Sequence, residues 1–519
     1  MAQQVNSLYF IENLPVRHFL NPAFQPQNEF YVSVPLAGFT QFSIGNNSVA
    51  LKDVIYNQNG QTITFMNPQG NVARFYGLLK NTTVARADFQ VALLSAGFRK
   101  KDNYWTFSLS EKINGMVSIP KDLFELAFFG TPDIRANSFD FSRFQTDISV
   151  YTEAAVGLSR KMDEQWVVGG KLKFLYGSAN FSNTNNRMKL QAGIGSWTIN
   201  GSGVVNLSSP VQVDIGPNYQ TFSYQMPTTA IGWLKPSGLG AAIDLGAEYQ
   251  LNERLRLSGA ILDLGFIGWN RNVHNDWYAA NYSFDGILQL NSNLGINTFQ
   301  DAYNRFMAIQ LADSVVRAFK SSSSSELTTK PYLTGITSRL NLGAEYIFQN
   351  NMLSLGLLSS SVFFKRTVTE EVTASVNYRP YHWLNGTLSY SLFNGRMSSI
   401  GAGLGLKTDL VHWFVAADYV PFQKVTLALS DLGINSPGRI PVPYNTATFN
   451  FSGGVNLVLD KLIDNARSTS MGLRKSSVRS SGNSQFWINF KNIFKTPLGK
   501  KSKGLNPKKP EQDCRCDWK

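Results

Sequence analysis

Three things are scarce in this chain. It has two cysteines in 519 residues, and both, Cys514 and Cys516, lie in the last six positions. No disulfide framework supports the fold, and two thiols one residue apart make a poor metal site and a strained disulfide; they read as tail thiols. Charge is also scarce: Asp, Glu, Lys and Arg make up 16% of residues, against about a quarter in ordinary soluble domains. The third absence is of long apolar runs. No stretch of eighteen or more apolar residues occurs, so no helix is long and apolar enough to cross a bilayer. Only four histidines exist, His18, His274, His382 and His412, far apart and without ligand spacing. No HExxH, GxSxG or phosphate-loop pattern appears. The sequence therefore argues against an enzyme and implies no cofactor, metal site or nucleic-acid partner.

Aromatics, at 13%, and glycine are abundant. Residues 237–270, SGLGAAIDLGAEYQLNERLRLSGAILDLGFIGWN, show how they are used. Leu239, Ala241, Ile243, Leu245, Ala247 and Tyr249 alternate with Gly240, Asp244, Gly246, Glu248 and Gln250. Asn252-Glu253-Arg254 turns the chain, and Leu255, Leu257, Gly259 and Ile261 begin the return arm. A period of two over about ten residues, apolar on one face and polar or small on the other, is the pattern of a transmembrane β-hairpin. A large soluble all-β protein would share it once, but here it recurs along almost the whole chain.

Strands are expected at about 29–45, 84–98, 104–117, 147–158, 166–176, 239–250 and 255–270. Seven more follow at about 335–349, 352–365, 370–379, 383–394, 398–408, 410–421 and 447–459. That makes fourteen, an even number, as single-chain bacterial barrels have. Connections after even-numbered strands are all short, whereas those after strands one, three, five, seven and thirteen are long. Short periplasmic turns and long external loops give this asymmetry. The expected fold is an all-β, closed antiparallel outer-membrane barrel over residues 29–459. It has an N-terminal plug (residues 1–28), a basic tail (residues 460–519) and both termini in the periplasm. Export requires a signal peptide, so the opening MAQQVNSLYF is taken to follow a removed one.

Several finer expectations follow. Arg86, Asp88, Asp147, Glu153, Lys171, Lys173, Asp244 and Glu248 fall on the polar face and should line the lumen. A turn centred on Asp163 would set Glu153 opposite Lys173, which favours paired charges inside. Asp263 is a candidate lumenal carboxylate, with a structural charge at a bulge as the preferred reading. Glu111 and Asn114-Gly115 break the alternation of strand three, which suggests a bulge or kink there that could open the wall sideways. Residues 120–130 read as a short apolar helix in a loop, residues 298–319 as a longer one, and residues 188–209 as a hairpin.

The net charge of +13 is concentrated in the tail: from residue 460 onward there are 14 Lys/Arg and 5 Asp/Glu. The tail has too few apolar residues for a core. Its exception is QFWINFKNIF, where Phe486, Trp487, Ile488, Phe490, Ile493 and Phe494 cluster between basic flanks. This segment reads as an anchor for a periplasmic partner or anionic lipid, adding about 1 kcal/mol per basic residue near an anionic surface.

Asn21-Pro22-Ala23, followed by about fourteen strands, resembles the signature of FadL-type long-chain fatty-acid channels. The wording AEYQLNERL and SGAILDLGFIGWN looks more narrowly like an uncharacterised Bacteroidetes barrel family, labelled a domain of unknown function and similar to the barrels of type IX secretion. The resemblance implies a barrel with an N-terminal plug, surrounded by outer-membrane lipid. Two functions are open: binding or passing a lipophilic small molecule, or serving as a non-transporting accessory barrel that docks a periplasmic or outer-membrane protein through its loops and tail. A continuous apolar lumen path would favour the first, and a lumen filled with charged pairs the second.

Overall fold

A computed structural model describes residues 6–12, 14–58, 61–65, 70–129, 137–193, 196–215, 222–229, 232–233, 235–284, 326–348, 351–365, 367–393, 397–418, 424–428, 439–443 and 447–459. The expected helix at 298–319 and the tail from residue 460 lie outside them. Fourteen wall strands run antiparallel. The first seven are β1 (in two halves, Phe30–Ser33 and Thr40–Asn46), β2 (Thr82–Lys100), β3 (Asn103–Pro120), β4 (Gln145–Lys161), β5 (Trp166–Ala192), β6 (Gly238–Gln250) and β7 (Leu255–Trp269). The other seven are β8 (Tyr332–Gly335 and Ser338–Ile347), β9 (Leu353–Phe364), β10 (Thr367–Tyr381), β11 (Leu384–Phe393), β12 (Met397–Lys407), β13 (Val411–Asp418) and β14 (Thr448–Val458). Each pairs with the next, and β14 pairs back onto both halves of β1, with Tyr31 opposite Val458 and Phe42 opposite Phe451. The sheet is therefore a closed barrel.

The alternation that forms these strands also sorts their faces. In β10, Thr369, Glu371, Thr373, Ser375 and Asn377 are buried, while Val368, Val372, Val376 and Tyr378 between them are exposed. Leu172 and Phe174 of β5, Leu264 and Phe266 of β7, and Leu342, Leu357 and Leu388 are likewise bare. Leu172 is 72% exposed. Apolar surface carries a penalty of about 25 cal/mol per Å² in water, and soluble monomers avoid large apolar patches. An apolar belt with a polar interior is the arrangement that a bilayer stabilises. Aromatic pairs mark the short-turn end: Trp166 with Tyr249, Tyr346 with Phe348, and Tyr381 stacked on Trp383 at 5.4 Å.

Side chains fix the turns at that end. Asp163 Oδ1 accepts from the backbone N–H of Gln165 and Trp166, and Asn252 Oδ1 from those of Arg254 and Leu255. Such Asx turns set the register of the hairpins they close. At the other end, β5 continues past the wall and pairs with the strand Trp197–Ser208, the second arm of the expected hairpin. The expected loop helix is α3 (Lys121–Phe129), after α1 (Leu51–Val54) and α2 (Val72–Leu78). Leu126 of α3 joins Phe139, Phe141, Leu190, Trp197 and Ile199 in a small core there.

Two expectations are corrected. Glu153 stands opposite Leu175, not Lys173, because the turn Met162–Gln165 pairs Lys161 with Val167. No lateral gap opens at Glu111, Asn114 and Gly115, and the bulge expected in strand three lies on its neighbour instead. From Asn103 to Ser118 the β3–β4 ladder is unbroken, and the one shift between β2 and β3 lies on β2, between Ala92 and Leu94. Glu111 keeps the alternation and points outward, where its carboxylate accepts from the Thr152 hydroxyl at 2.6 Å. Asn114 points inward, and its side chain donates to Asp88.

The wall is interrupted instead in β1. Residues 34–39 leave the strand line, with Leu36 in the left-handed region at φ 63° and 62% exposed. Pro35 offers no N–H for a ladder. Four backbone bonds bridge the excursion: Val34 N to Val455 O, Val455 N to Ala37 O, Leu36 N to Ala92 O and Ala92 N to Phe39 O.

Candidate functional site: the occupied lumen

Residues 6–28 have no regular period, yet nearly all of them are buried. Their partners surround them. The Asp418 carboxylate of β13 accepts from the backbone N–H groups of Asn6 and Ser7, at 2.6 and 3.2 Å. Asn6 also donates to Thr373 of β10, and Ser7 is hydrogen-bonded with Ser389 of β11 at 2.8 Å. Tyr9 meets Ser258 of β7 at 3.0 Å, and Asn341 of β8 donates to the Leu20 carbonyl at 3.3 Å. Lys171 of β5 donates to the His18 carbonyl and lies 4.8 Å from the centre of the Phe19 ring. Partners on opposite sides of the ring put this segment inside the barrel.

Asn21, Pro22 and Ala23 sit against β4 to β7. Asn21 Nδ2 donates to the carbonyls of Ala247 and Gly259 at 3.3 and 3.2 Å, while its Oδ1 accepts from Ala23 N at 2.9 Å. The Ala23 carbonyl accepts from the Ser159 hydroxyl at 3.0 Å. Space for this turn comes from glycine. A Cβ on Gly169 would lie 2.2 Å from the Pro22 carbonyl oxygen, and one on Gly246 would lie 2.0 Å from Asn21 Oδ1. Gly169→Ala is therefore expected to destabilise the barrel by about 1–3 kcal/mol through overpacking. A lower temperature for the gel shift between folded and unfolded bands would register it, whereas Gly115→Ala, with nothing closer than 3.6 Å, should leave it unchanged.

Ion pairs fill the rest of the lumen in layers. Lowest, Arg256 Nη1 is 2.6 Å from Glu12 Oε1, and Arg256 also approaches Glu248 and Glu345 at 3.5 Å. Arg379 joins Glu12 at 3.4 Å and pairs with Glu345. In the middle, Lys173 Nζ lies 2.6 Å from Asp263, 2.8 Å from Asp244 and 3.5 Å from Glu153. Lys112 lies 2.7 Å from Glu153 and 3.1 Å from Asp263. Above them Arg86 pairs with Asp88 at 3.0 Å, Arg339 stands 3.8 Å from Asp88, and Lys365 reaches Asp147 at 2.5 Å. The space among Lys112, Glu153, Lys171, Lys173, Asp244 and Asp263 is about 30 Å³, room for about one water.

All eight residues expected on the lumenal face point inward. Seven of them join these pairs; Lys171 instead binds the N-terminal segment. Lys112 was missed, although its place two residues before Asn114 on the polar side of β3 would have revealed it. Asp263 fits both readings at once. It sits at the β6–β7 bulge with φ 57°, its N–H donates to Asp244 at 2.7 Å, and the bulge turns its carboxylate inward.

Two groups of the N-terminal segment make its docking sensitive to acid. Burial, with Lys171 and Lys173 nearby, holds the His18 imidazole well below its ordinary pKa. The undocked chain takes up a proton near pH 6.5 and the docked one does not, so docking is at full strength above that pH and weakens below it. Burial pushes the Glu12 carboxyl up, but Arg379, Arg256 and Arg17 outweigh it and hold the group at about 2, against 4.5 ordinarily. Its contribution, on the order of 3 kcal/mol, is complete above pH 4.5 and disappears as pH falls towards 2. The gel-shift temperature should therefore start to fall below about pH 6.5. His18→Asn should remove the upper part of that decline and leave the lower.

The fold and its contents define a closed fourteen-stranded antiparallel barrel of the outer-membrane kind, occupied by its own N-terminal segment. The chain belongs to the family of unknown function DUF5723, whose profile matches residues 22–418. Solved structures that the chain aligns with include the toluene transporter TbuX of Ralstonia pickettii, at 9% identity and a TM-score of 0.36, with 85% of this chain and 92% of that one covered. Another is a FadL homologue from Pseudomonas aeruginosa, at 12% identity and a TM-score of 0.36, covering 87% and 95%. A third is the monoaromatic hydrocarbon channel CymD, at 8% and 0.36, covering 88% and 94%. No curated protein matches the chain.

Proposed function

We propose that this chain is an outer-membrane barrel, with its short-turn end in the periplasm, that binds a lipophilic small molecule and passes it through the wall at residues 34–39. The carrying observation is what backs the interruption. Phe39, just behind it, stacks on Phe19 of the N-terminal segment at 4.8 Å and lies 6.2 Å from Phe414 of β13. Ala92 and Ala416 complete an apolar cluster. The axis is filled by layers of charged pairs, whereas this cluster gives an apolar solute a matching surface directly behind the interruption. Over this excursion four backbone hydrogen bonds replace the regular ladder, and Pro35 has no N–H to add. A photoreactive diazirine alkane should label Phe19, Phe39 and Leu36. Labelling confined to the outer belt would overturn the reading.

A second reading, a non-transporting accessory barrel, is favoured by the layered ion pairs themselves. In that case the N-terminal segment is a permanent core, and the long loops and the basic tail (residues 460–519, with the anchor Phe486 to Phe494) dock a periplasmic partner or anionic lipid. The interior would then take up no label.

A further inference from the structure

The long-loop end holds a cavity of different chemistry from the apolar cluster. Above the topmost ion pair lies a vestibule of about 720 Å³, a size that suits a small-molecule ligand. Among its twelve described lining residues, only Val84 and Val368 are apolar, and none is aromatic or carries a carboxylate. The rest carry amide, hydroxyl or cationic groups. Arg143 is exposed and makes no ion pair among the described residues. Lys365 is held over the mouth by Asp147, 2.5 Å from its Nζ. It occupies the left-handed region at φ 49°, where a side chain is disfavoured by about 1 kcal/mol relative to glycine. Beneath, Arg86 lies 5.3 Å from the centre of the Phe364 ring. Gln145 and Thr184 face the same space.

We propose that this vestibule binds a hydroxylated anion, a sugar phosphate or sugar acid, with Arg143 and Lys365 gripping the anionic group. Neutral hydroxyl and amide groups would satisfy the hydroxyls of the ligand, and a guanidinium matches phosphate or carboxylate with two parallel hydrogen bonds. A hydrocarbon would find only Val84 and Val368 as apolar surface among the described lining residues. A nucleotide base would find no aromatic surface for stacking. The site is separate from the proposed lateral path and stands whether or not that path exists.

The test is calorimetry on the folded full chain in detergent, with glucose 6-phosphate, glucuronate, glucose and oleate as probes. Both anions should bind in a salt-sensitive way, at least about tenfold tighter than glucose and tighter than oleate. Arg143→Ala should weaken them about tenfold or more, and Arg143→Lys should restore part of the loss. Because Arg143 is exposed, its variants should keep the gel shift of the parent. Nanodiscs containing lipopolysaccharide, set against free glucose 6-phosphate, distinguish a lipid-borne phosphosugar from a soluble one. Failure of both anions to bind at millimolar concentration, binding unchanged in Arg143→Ala, or preference for oleate would each overturn the proposal.

Discussion

Removing residues 1–24 is expected to turn a barrel that passes no ions into a conducting one. The segment supplies Leu8, Tyr9, Phe10, Ile11, Leu14, Val16, Phe19 and Leu20 to the interior cluster. Without it, the inward faces of β9 to β14 present mainly Ser, Thr and Asn. Ser354, Ser360, Thr387, Ser389, Asn450, Ser452 and Asn456 are all buried at present. Polar walls in a lumen wide enough for a segment of chain will fill with water. The ladder that closes the ring starts at Phe30, so truncation leaves every wall pairing intact. Planar-bilayer recordings should show discrete steps for the truncated chain and none for the intact one. Should the truncated chain not fold, Asp418→Ala, which removes the anchor for Asn6 and Ser7, should give brief openings.

Lys173→Met is expected to destabilise the barrel by about 3–5 kcal/mol, because breaking a buried ion pair strands the partner charge. Three carboxylates converge on this one ammonium, and Lys112 serves only Glu153 and Asp263. Asp244 would have no cation within ion-pair distance among the described residues. Adding Asp244→Asn should recover a substantial part of the loss, a non-additivity expected of side chains in one network. Guanidinium unfolding of the detergent-solubilised barrel, followed by the gel shift, would measure both. If each substitution costs under about 1 kcal/mol, the network is wetter and weaker than its geometry implies.

The wall was legible where alternation is strict. In β10 the Thr, Glu, Thr, Ser, Asn row against the Val, Val, Val, Tyr row can be read by eye, and the turn residues Asp163 and Asn252 punctuate their hairpins through local hydrogen bonds. The misreadings have physical causes. Strand one seemed continuous because apolar residues fall often enough in EFYVSVPLAGFTQFSIG. Pro35 with Gly38 in the middle was the signal to split it, since proline cannot donate to a central ladder. Glu111 looked like a fault because a carboxylate on the lipid face is unusual, but its hydrogen bond from Thr152 lets it keep the phase. The shift beside Leu93 carries no signal in its residues. The placing of residues 6–28 was expected only through the resemblance carried by Asn21-Pro22-Ala23, since most groups that hold them come from strands remote in sequence. The ion pairs were legible as inward charges but not as pairs, because register across a bulge decides who meets whom.

The account rests on a barrel closed along its axis and able to open at residues 34–39. The direct measurement is uptake of a radiolabelled alkane by liposomes containing an Ala37→Cys, Val455→Cys barrel, with Cys514 and Cys516 replaced by serine. Val455 N donates to Ala37 O across the interruption, so a short thiol crosslinker between the two sites clamps it. Uptake should be normal before crosslinking, fall to the level of empty liposomes afterwards, and return when a cleavable linker is cut. Uptake that is unaffected by the clamp would contradict the lateral route, and no uptake in any state would contradict transport itself.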